Sequence, residues 1–136
     1  MKAHMNFRTA HLEESVAFYG ALLAQKPTKQ FKDYALFVTE EPRLELALDA
    51  DEAVTVDSCA HYGIVVDTPK AVEDAIEQLR SAGLELDIER EETCCYARQD
   101  KVWVTDPDGR RWEVYTVLEE TGARDAAAAS SGCCTA

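Results

Sequence analysis

The sequence lacks the marks of a membrane or exported protein. No stretch is apolar enough or long enough to span a bilayer. The opening residues "MKAHMNF" have neither the charged nor the apolar region of a signal peptide. We therefore expect a cytoplasmic protein with no membrane partner. At 136 residues the chain is long enough for one hydrophobic core and too short for two independent ones, which predicts a single domain.

Positive charge is also scarce. The chain has 14 lysines and arginines against 26 acidic residues, which leaves a formal net charge of −12. Proteins that bind a phosphate backbone need a basic face, so nucleic acid is excluded as a partner. Much of the negative charge lies in segments typical of solvated surface, such as "TEEPRLE", "DIEREE" and "LEETGARD". A small molecule remains the expected partner.

The cysteines are few but unusually placed. Five cysteines without an export signal are typical of thiols or metal ligands, not of a disulfide framework. Four of them form two adjacent pairs, Cys94–Cys95 and Cys133–Cys134. Adjacent cysteines are poor disulfide partners because the small ring is strained, whereas two neighbouring thiolates suit one soft atom. Alternatively, Cys94 and Cys95 are unrelated thiols and the second pair has no function.

The hydrophobic pattern repeats one order of elements twice. In the first half, the strand "HMNFRTA" is followed by the helix "HLEESVAFYGALLAQ" and the strands "DYALFVTE" and "RLELALD". In the second half, the strand "CAHYGIVVD" is followed by the helix "TPKAVEDAIEQLRSAG" and the strands "LELDIE", "DKVWVTD" and "RRWEVYTVL". The last two strands flank "DPDG", a strong hairpin signal. The pattern predicts an α+β fold of two βαβββ modules.

Both helices carry an apolar stripe at helical spacing. The residues expected to face inward are Leu12, Val16, Tyr19 and Leu23 in the first helix and Val72, Ile76 and Leu79 in the second. Thr68 is the expected cap of the second helix, Pro69 fits its first turn, and Gly83 ends it.

The modules span about residues 1–50 and 58–118 of a single domain predicted over 1–118. From residue 119 onward, "EETGARDAAAASSGCCTA" is rich in alanine and serine. Such a composition cannot bury enough apolar surface to fold. We therefore expect residues 119–136 to form a disordered tail that carries the second cysteine pair.

The chain has three histidines, so each can be considered in turn as a candidate metal ligand. His4 and His61 lie on the first strands of the two modules and would converge if the modules pack with pseudo-twofold symmetry. Glu113 is a carboxylate between apolar residues, and Glu45 is its symmetry counterpart. Two imidazoles and one carboxylate suit a non-haem Fe(II) centre. Alternatively, these histidines are structural and the glutamates face solvent. His11 precedes a helix and is expected to be exposed.

These motifs together resemble the vicinal oxygen chelate superfamily, which includes glyoxalase I, extradiol dioxygenases and antibiotic-resistance proteins. The resemblance lies in "FRTAHLEESVAFY", "HYGIVV" and "DPDGRRWEVYTV". Within the superfamily, "TCCYARQDKVWVTDPDGRRWEVYTVL" closely resembles the organoarsenical C–As lyase and cadmium-induced protein family, and "SGCCT" is similar to the tail of many of its members. The resemblance covers nearly the whole chain and implies a glyoxalase-like fold with a metal-binding cup.

The resemblance also implies roles for individual residues. Cys94 and Cys95 fall on the arsenic-binding pair, and His61 and Glu113 fall on metal-ligand positions. His4 falls on the first-strand ligand position, where some C–As lyases have glutamine.

The family resemblance gives less direct assignments for Glu45 and for the second cysteine pair. The lyases tend to have lysine in the strand of Glu45, whereas glyoxalase I has a ligand glutamate there, so Glu45 is a candidate fourth ligand. Cys133 and Cys134 are assigned as auxiliary thiols.

The implied function is a dioxygenase that uses Fe(II) and O₂ to cleave the carbon–arsenic bond of trivalent organoarsenicals, in arsenic detoxification. Methylarsenite and aromatic arsenicals are the expected substrates. Two alternatives stay open: a glyoxalase-like isomerase or lyase with Ni²⁺ or Zn²⁺, and a non-catalytic protein that binds cadmium or arsenite. Related folds build the cup within one chain or by exchange of halves between two, so a homodimer is one arrangement that the resemblance allows.

Overall fold

The computed structural model describes residues 1–94, 96–120 and 122, with the backbone alone at 92–94. The described residues belong to two compact units. The first unit comprises residues 1–57 and 105–110, and the second comprises residues 58–104 and the chain from residue 111. No helix in this part of the chain has the length and apolarity needed to cross a membrane.

The first unit is built on one four-stranded sheet. Its elements are β1 (Ala3–Thr9), α1 (Leu12–Leu22), β2 (Lys29–Gln30), β3 (Tyr34–Thr39) and β4 (Leu44–Ala50). The strand order is β1-β4-β3-β2, with β1 parallel to β4 and the other neighbours antiparallel. Helix α1 packs against β3 and β4. Leu44, Leu46 and Leu48 of the central strand β4 are buried, since alternate residues of a strand share one face of the sheet.

Two local features of the first unit differ from the sequence pattern. Strand β2 has two residues and is too short to show alternation, so its position was not predicted, although the βαβββ order requires a third strand in this module. The buried residues of α1 are Ser15, Phe18, Tyr19 and Leu22, whereas Leu12 and Val16 are half-buried. A serine is tolerated on the buried stripe because its hydroxyl lies 2.7 Å from the hydroxyl of Thr9.

The second unit repeats the βαβββ order. Its elements are β5 (His61–Val65), α2 (Pro69–Ser81), β6 (Asp87–Cys94), β7 (Ala97–Thr105) and β8 (Arg111–Glu120). The strand order is β5-β8-β7-β6, with β5 parallel to β8. The two four-stranded sheets with one helix each confirm the predicted α+β fold of two βαβββ modules.

Helix α2 forms as its sequence predicts. The Thr68 hydroxyl accepts a hydrogen bond from the backbone N–H of Ala71 at 3.1 Å, and Pro69 occupies the first turn. Gly83 follows the helix with φ +79°, a conformation that glycine adopts without strain. The three residues predicted to face inward are buried: Val72, Ile76 and Leu79. The helix packs against β8.

The "DPDG" turn that connects β7 to β8 is anchored within the first unit. The Asp106 carboxylate accepts hydrogen bonds from the Tyr19 hydroxyl at 2.7 Å and from the backbone N–H of Arg110 at 2.8 Å. The Arg110 guanidinium in turn donates to the carbonyl of Arg8 at 2.6 Å. Gly109 has φ +99°, which explains the glycine at this point of the turn. The predicted turn is therefore confirmed.

Strand β6 is distorted just before the first cysteine pair. Its register against β7 shifts between Glu89 and Glu92, and Glu91 has φ +53°, which together describe a β-bulge. Arg90 in this bulge hydrogen-bonds Glu73 of α2 and lowers the pKa of that carboxyl.

Strand β8 continues two residues past the predicted domain boundary at 118, to Glu120. The Glu119 carboxylate lies 3.4 Å from the guanidinium of Arg98 on β7. Apart from residue 122, the predicted tail beyond this strand lies outside the described residues.

Candidate metal and substrate site

Two of the predicted metal ligands lie together on neighbouring strands of the second unit. The parallel register of β5 and β8 places His61 opposite Arg111 and Gly63 opposite Glu113. Side chains two residues apart on a strand share one face of the sheet. Nε2 of His61 lies 3.8 Å from Oε1 of Glu113, and Glu113 is buried. We call these two side chains the His61–Glu113 pair.

Gly63 provides the space that Glu113 occupies. A Cβ atom at residue 63 would lie 3.0 Å from Cε1 of Tyr115 and 3.3 Å from both Cγ and Oε1 of Glu113. Any larger residue would push against the carboxylate that faces His61. The glycine therefore gives the Glu113 carboxylate room beside His61, and the sequence pattern alone did not identify it.

Lys101 holds the second oxygen of the same carboxylate. Its Nζ lies 3.0 Å from Oε2 of Glu113, and its side chain is 1% exposed. The ammonium also lies 5.4 Å from the ring centroid of Trp103 and 5.6 Å from that of Tyr115, within the range of cation–π attraction. A buried lysine is rare unless it is paired. Here the pairing neutralises Glu113 and fixes the direction of its free oxygen.

Trp103 and Arg111 complete the surroundings of His61. The rings of His61 and Trp103 meet edge to face, with centroids 5.5 Å apart. Cζ of Arg111 lies 4.3 Å from the ring centroid of Trp103. This face therefore combines an imidazole, a buried carboxylate and two cationic side chains around one indole.

His4 and Glu45 form a second pair, in the first unit. The parallel register of β1 and β4 places them directly opposite each other, and Nδ1 of His4 lies 3.4 Å from Oε2 of Glu45. Their side chains are 59% and 43% exposed. The two pairs differ in register, because Glu113 lies opposite Gly63 and not opposite His61.

One of the predicted arsenic-binding cysteines, Cys94, lies at the end of β6. Cys94 is the last residue of β6 and pairs with Ala97, and Tyr96 in the connecting turn has φ +66°. Only the backbone of Cys94 is described, and Cys95, Cys133 and Cys134 lie outside the described residues. Their predicted roles therefore stay predictions.

The donor types of these pairs fit a first-row transition metal. Imidazole nitrogen and carboxylate oxygen are ligands of Fe(II), Ni²⁺ and Zn²⁺. Lys101 donates a hydrogen bond to Oε2 of Glu113 and leaves Oε1 to bind a metal. In many metal sites, hydrogen bonds from surrounding groups orient the ligand side chains in this way. Within the described part of the chain, no three His, Cys, Asp or Glu side chains are grouped closely enough to hold a metal.

Sequence reasoning missed Lys101 and Trp103 as parts of the site. Both lie in "DKVWV", where they alternate with Val102 and Val104. This alternation places the lysine and the tryptophan on one face of the strand. A lysine within an otherwise apolar strand segment was the available signal.

Comparison with known families gives one match over most of the chain. The model of the Glyoxalase/Bleomycin resistance protein/Dioxygenase superfamily matches residues 3–114. Two solved structures share the fold: a glyoxalase/bleomycin resistance protein/dioxygenase from Alicyclobacillus acidocaldarius and the fosfomycin resistance protein FosX from Listeria monocytogenes. The first has a TM-score of 0.67 at 17% identity, covering 88% of this chain and 92% of that one. The second has a TM-score of 0.66 at 15% identity, covering 83% and 89%.

Curated relatives are similar at higher sequence identity. The trivalent organoarsenical cleaving enzyme of Thermomonospora curvata is 37% identical over 134 residues, which cover 98% of this chain and 88% of the relative. The cadmium-induced protein CadI of Mycobacterium tuberculosis strain H37Rv is 42% identical over 110 residues, which cover 81% of this chain and 72% of the relative.

Proposed function

Because the chain belongs to the glyoxalase/bleomycin resistance protein/dioxygenase superfamily, we propose that it cleaves the carbon–arsenic bond of trivalent organoarsenicals. The reaction uses Fe(II) and O₂ and serves arsenic detoxification. The observation that carries the proposal is the His61–Glu113 pair, with its 3.8 Å separation, in a chain that also has the adjacent thiols Cys94 and Cys95. The similarity to a trivalent organoarsenical cleaving enzyme over 98% of the chain supports the same reaction.

The cysteines capture the substrate. Trivalent arsenic in methylarsenous acid has one bond to carbon and two exchangeable bonds to oxygen. The thiols of Cys94 and Cys95 displace two waters, forming two As–S bonds, because arsenic is soft and thiolates are soft donors. The carbon substituent is then the group that projects away from the cysteines.

The metal ligands are His4, His61 and Glu113. Fe(II) bound by two imidazoles and a carboxylate would supply the redox chemistry by which O₂ oxidises the carbon–arsenic bond. Lys101 holds Oε2 of Glu113 and so presents Oε1 toward His61. Methylarsenous acid and O₂ have the same atoms as arsenous acid and formaldehyde, so the overall reaction balances with the four electrons lost by carbon passing to O₂.

A glyoxalase-like reaction is the second candidate. The His4–Glu45 pair in the first unit favours it, because a glutamate opposite the first-strand histidine adds a fourth donor to the set. Such a centre would hold Ni²⁺ or Zn²⁺ and would need no O₂. It would leave both cysteine pairs without a role.

Metal-dependent turnover tests the proposal. The reduced protein is loaded anaerobically with Fe(II) or with Zn²⁺ and given methylarsenous acid, and O₂ is then admitted. We expect arsenite and formaldehyde in equal amounts from the Fe(II) protein, only after O₂ is admitted, and neither product from the Zn²⁺ protein. Turnover without O₂ would contradict the proposal. Tight stoichiometric binding of arsenic with no product would instead indicate sequestration.

A further inference from the structure

The indole N–H of Trp103 is a buried donor that the fold leaves unused. Trp103 is 3% exposed, and among the described residues its Nε1 has no hydrogen-bond partner. Buried N–H groups in folded proteins are nearly always bonded, and an unbonded one is costly. Its position beside His61 indicates that the missing partner is a ligand atom.

The charges around the indole favour an anionic acceptor. The Arg111 guanidinium carbon lies 4.3 Å from the ring centroid, and the Lys101 ammonium lies 5.4 Å from it. Cations against the ring draw electron density from it, which makes the N–H a stronger donor. The neighbouring carboxylate is that of Glu113, and its Oε2 already accepts from Lys101.

We propose that the Trp103 N–H binds a carboxylate on the organic group of the substrate, so that the site favours aromatic arsenicals with a carboxylate on the ring over unsubstituted ones. The inference rests on the proposed function. The His61 and Trp103 ring centroids lie 5.5 Å apart. A substituent on the aromatic ring of a substrate held at the His61–Glu113 pair is therefore close enough to reach the indole.

The two tryptophans of the chain allow a direct test by NMR of their indole N–H groups. Trp112 lies on the other face of the sheet by strand alternation, next to Tyr62, and is the internal control. The full-length ¹⁵N-labelled protein is loaded with diamagnetic Zn²⁺ and titrated with 4-carboxyphenylarsenous acid. We expect the Trp103 indole proton to move downfield, while phenylarsenous acid moves it little and Trp112 responds to neither. An unmoved Trp103 resonance at saturation would overturn the inference.

A second test compares the affinities of the wild-type protein and of a Trp103 variant for the two arsenicals. Trp103→Phe keeps an aromatic ring and removes the N–H. The wild-type protein should bind the carboxylated arsenical about tenfold more tightly than the unsubstituted one, the effect of one hydrogen bond to a charged group. The variant should bind the two arsenicals about equally, because the preference for the carboxylated one depends on the N–H. A preference that survives in the variant would overturn the inference.

An arsenic-free probe separates this inference from the proposed function. If neither arsenical binds, the proposed function fails, and titration with benzoate then decides about the Trp103 subsite. A downfield shift of the Trp103 indole proton on addition of benzoate would uphold an anion subsite, and no shift would reject it.

Discussion

Lys101 donates a hydrogen bond to Oε2 of Glu113 at 3.0 Å from a position that is 1% exposed to solvent. Removing one partner of a buried ion pair leaves an uncompensated charge, at a cost of several kcal/mol. We therefore predict that Lys101→Met lowers the free energy of unfolding by about 3 kcal/mol. It should also weaken metal binding, because the carboxylate loses its fixed orientation. Denaturant unfolding and metal titration measure the two effects.

The control is an exposed lysine with the same type of partner. Lys70 pairs with Asp74 at 2.8 Å, but both side chains are more than half exposed, so Lys70→Met should change stability by about 0.5 kcal/mol or less. If Lys101→Met lowered stability as little as Lys70→Met does, the ion pair between Lys101 and Glu113 would not organise the site. The double variant Lys101→Met with Glu113→Gln should recover part of the lost stability.

The second prediction concerns the proposed metal ligands. His61→Ala and Glu113→Ala should each lose tight Fe(II) binding and turnover, because removal of an imidazole or carboxylate leaves too few donors. His4→Ala should do the same. Metal content after anaerobic loading and desalting is the measurement.

His11 supplies the matched control for these variants. It lies before α1, and its side chain makes no capping hydrogen bond, so His11→Ala should keep the metal and the activity. A Glu113→Ala protein with full metal content would show that the centre is assigned to the wrong residues.

The sequence was sufficient to predict the fold because its signals are local. The cap Thr68, the terminator Gly83 and the inward stripe of α2 follow from one helix, and all three are confirmed. The prediction that His61 and Glu113 lie close together depended on the pairing of their strands, which follows from the order of elements in the module. The role of Gly63 and the pairing of Lys101 with Glu113 could not be predicted, because both arise from distances between side chains on different strands. In α1, Tyr19 and Leu23 are buried as predicted, whereas the burial of Ser15 was not predicted because it depends on the hydroxyl of Thr9 on another element.

Glu45 separates the two enzymatic proposals. It lies 3.4 Å from Nδ1 of His4, with 43% of its side chain exposed. If the centre is the three-ligand iron site, Glu45→Gln should keep the metal and most of its organoarsenical turnover. Loss of the metal in this variant, with His11→Ala unaffected, would favour the four-ligand glyoxalase-like centre.

The second cysteine pair is tested by truncation. Since β8 extends to Glu120, a chain that ends at Gly122 keeps every described strand and removes Cys133 and Cys134. We expect the truncated protein to unfold at the same denaturant concentration and to keep its maximal turnover, with a higher KM for methylarsenous acid. A truncated protein that retains iron but has no activity at saturating substrate would place one of these thiols in the site.

Cys94 and Cys95 test the central claim of the proposed function. In this claim the two thiolates bind arsenic, and iron bound by other residues takes part in cleaving the carbon–arsenic bond. Serine keeps the shape of cysteine but replaces a soft thiolate with a neutral hydroxyl. Iron is held by nitrogen and oxygen donors and should be unaffected. Cys59→Ser is the control, because Cys59 is exposed and outside both pairs.

The most direct test measures iron content, methylarsenous acid binding and arsenite release on the same preparations of Cys94→Ser, Cys95→Ser and Cys59→Ser. The first two variants should retain iron at the wild-type ratio while losing arsenical binding and arsenite release. Cys59→Ser should match the wild type in all three measurements. Near-normal arsenite release by Cys94→Ser or Cys95→Ser would contradict the capture of arsenic by this pair.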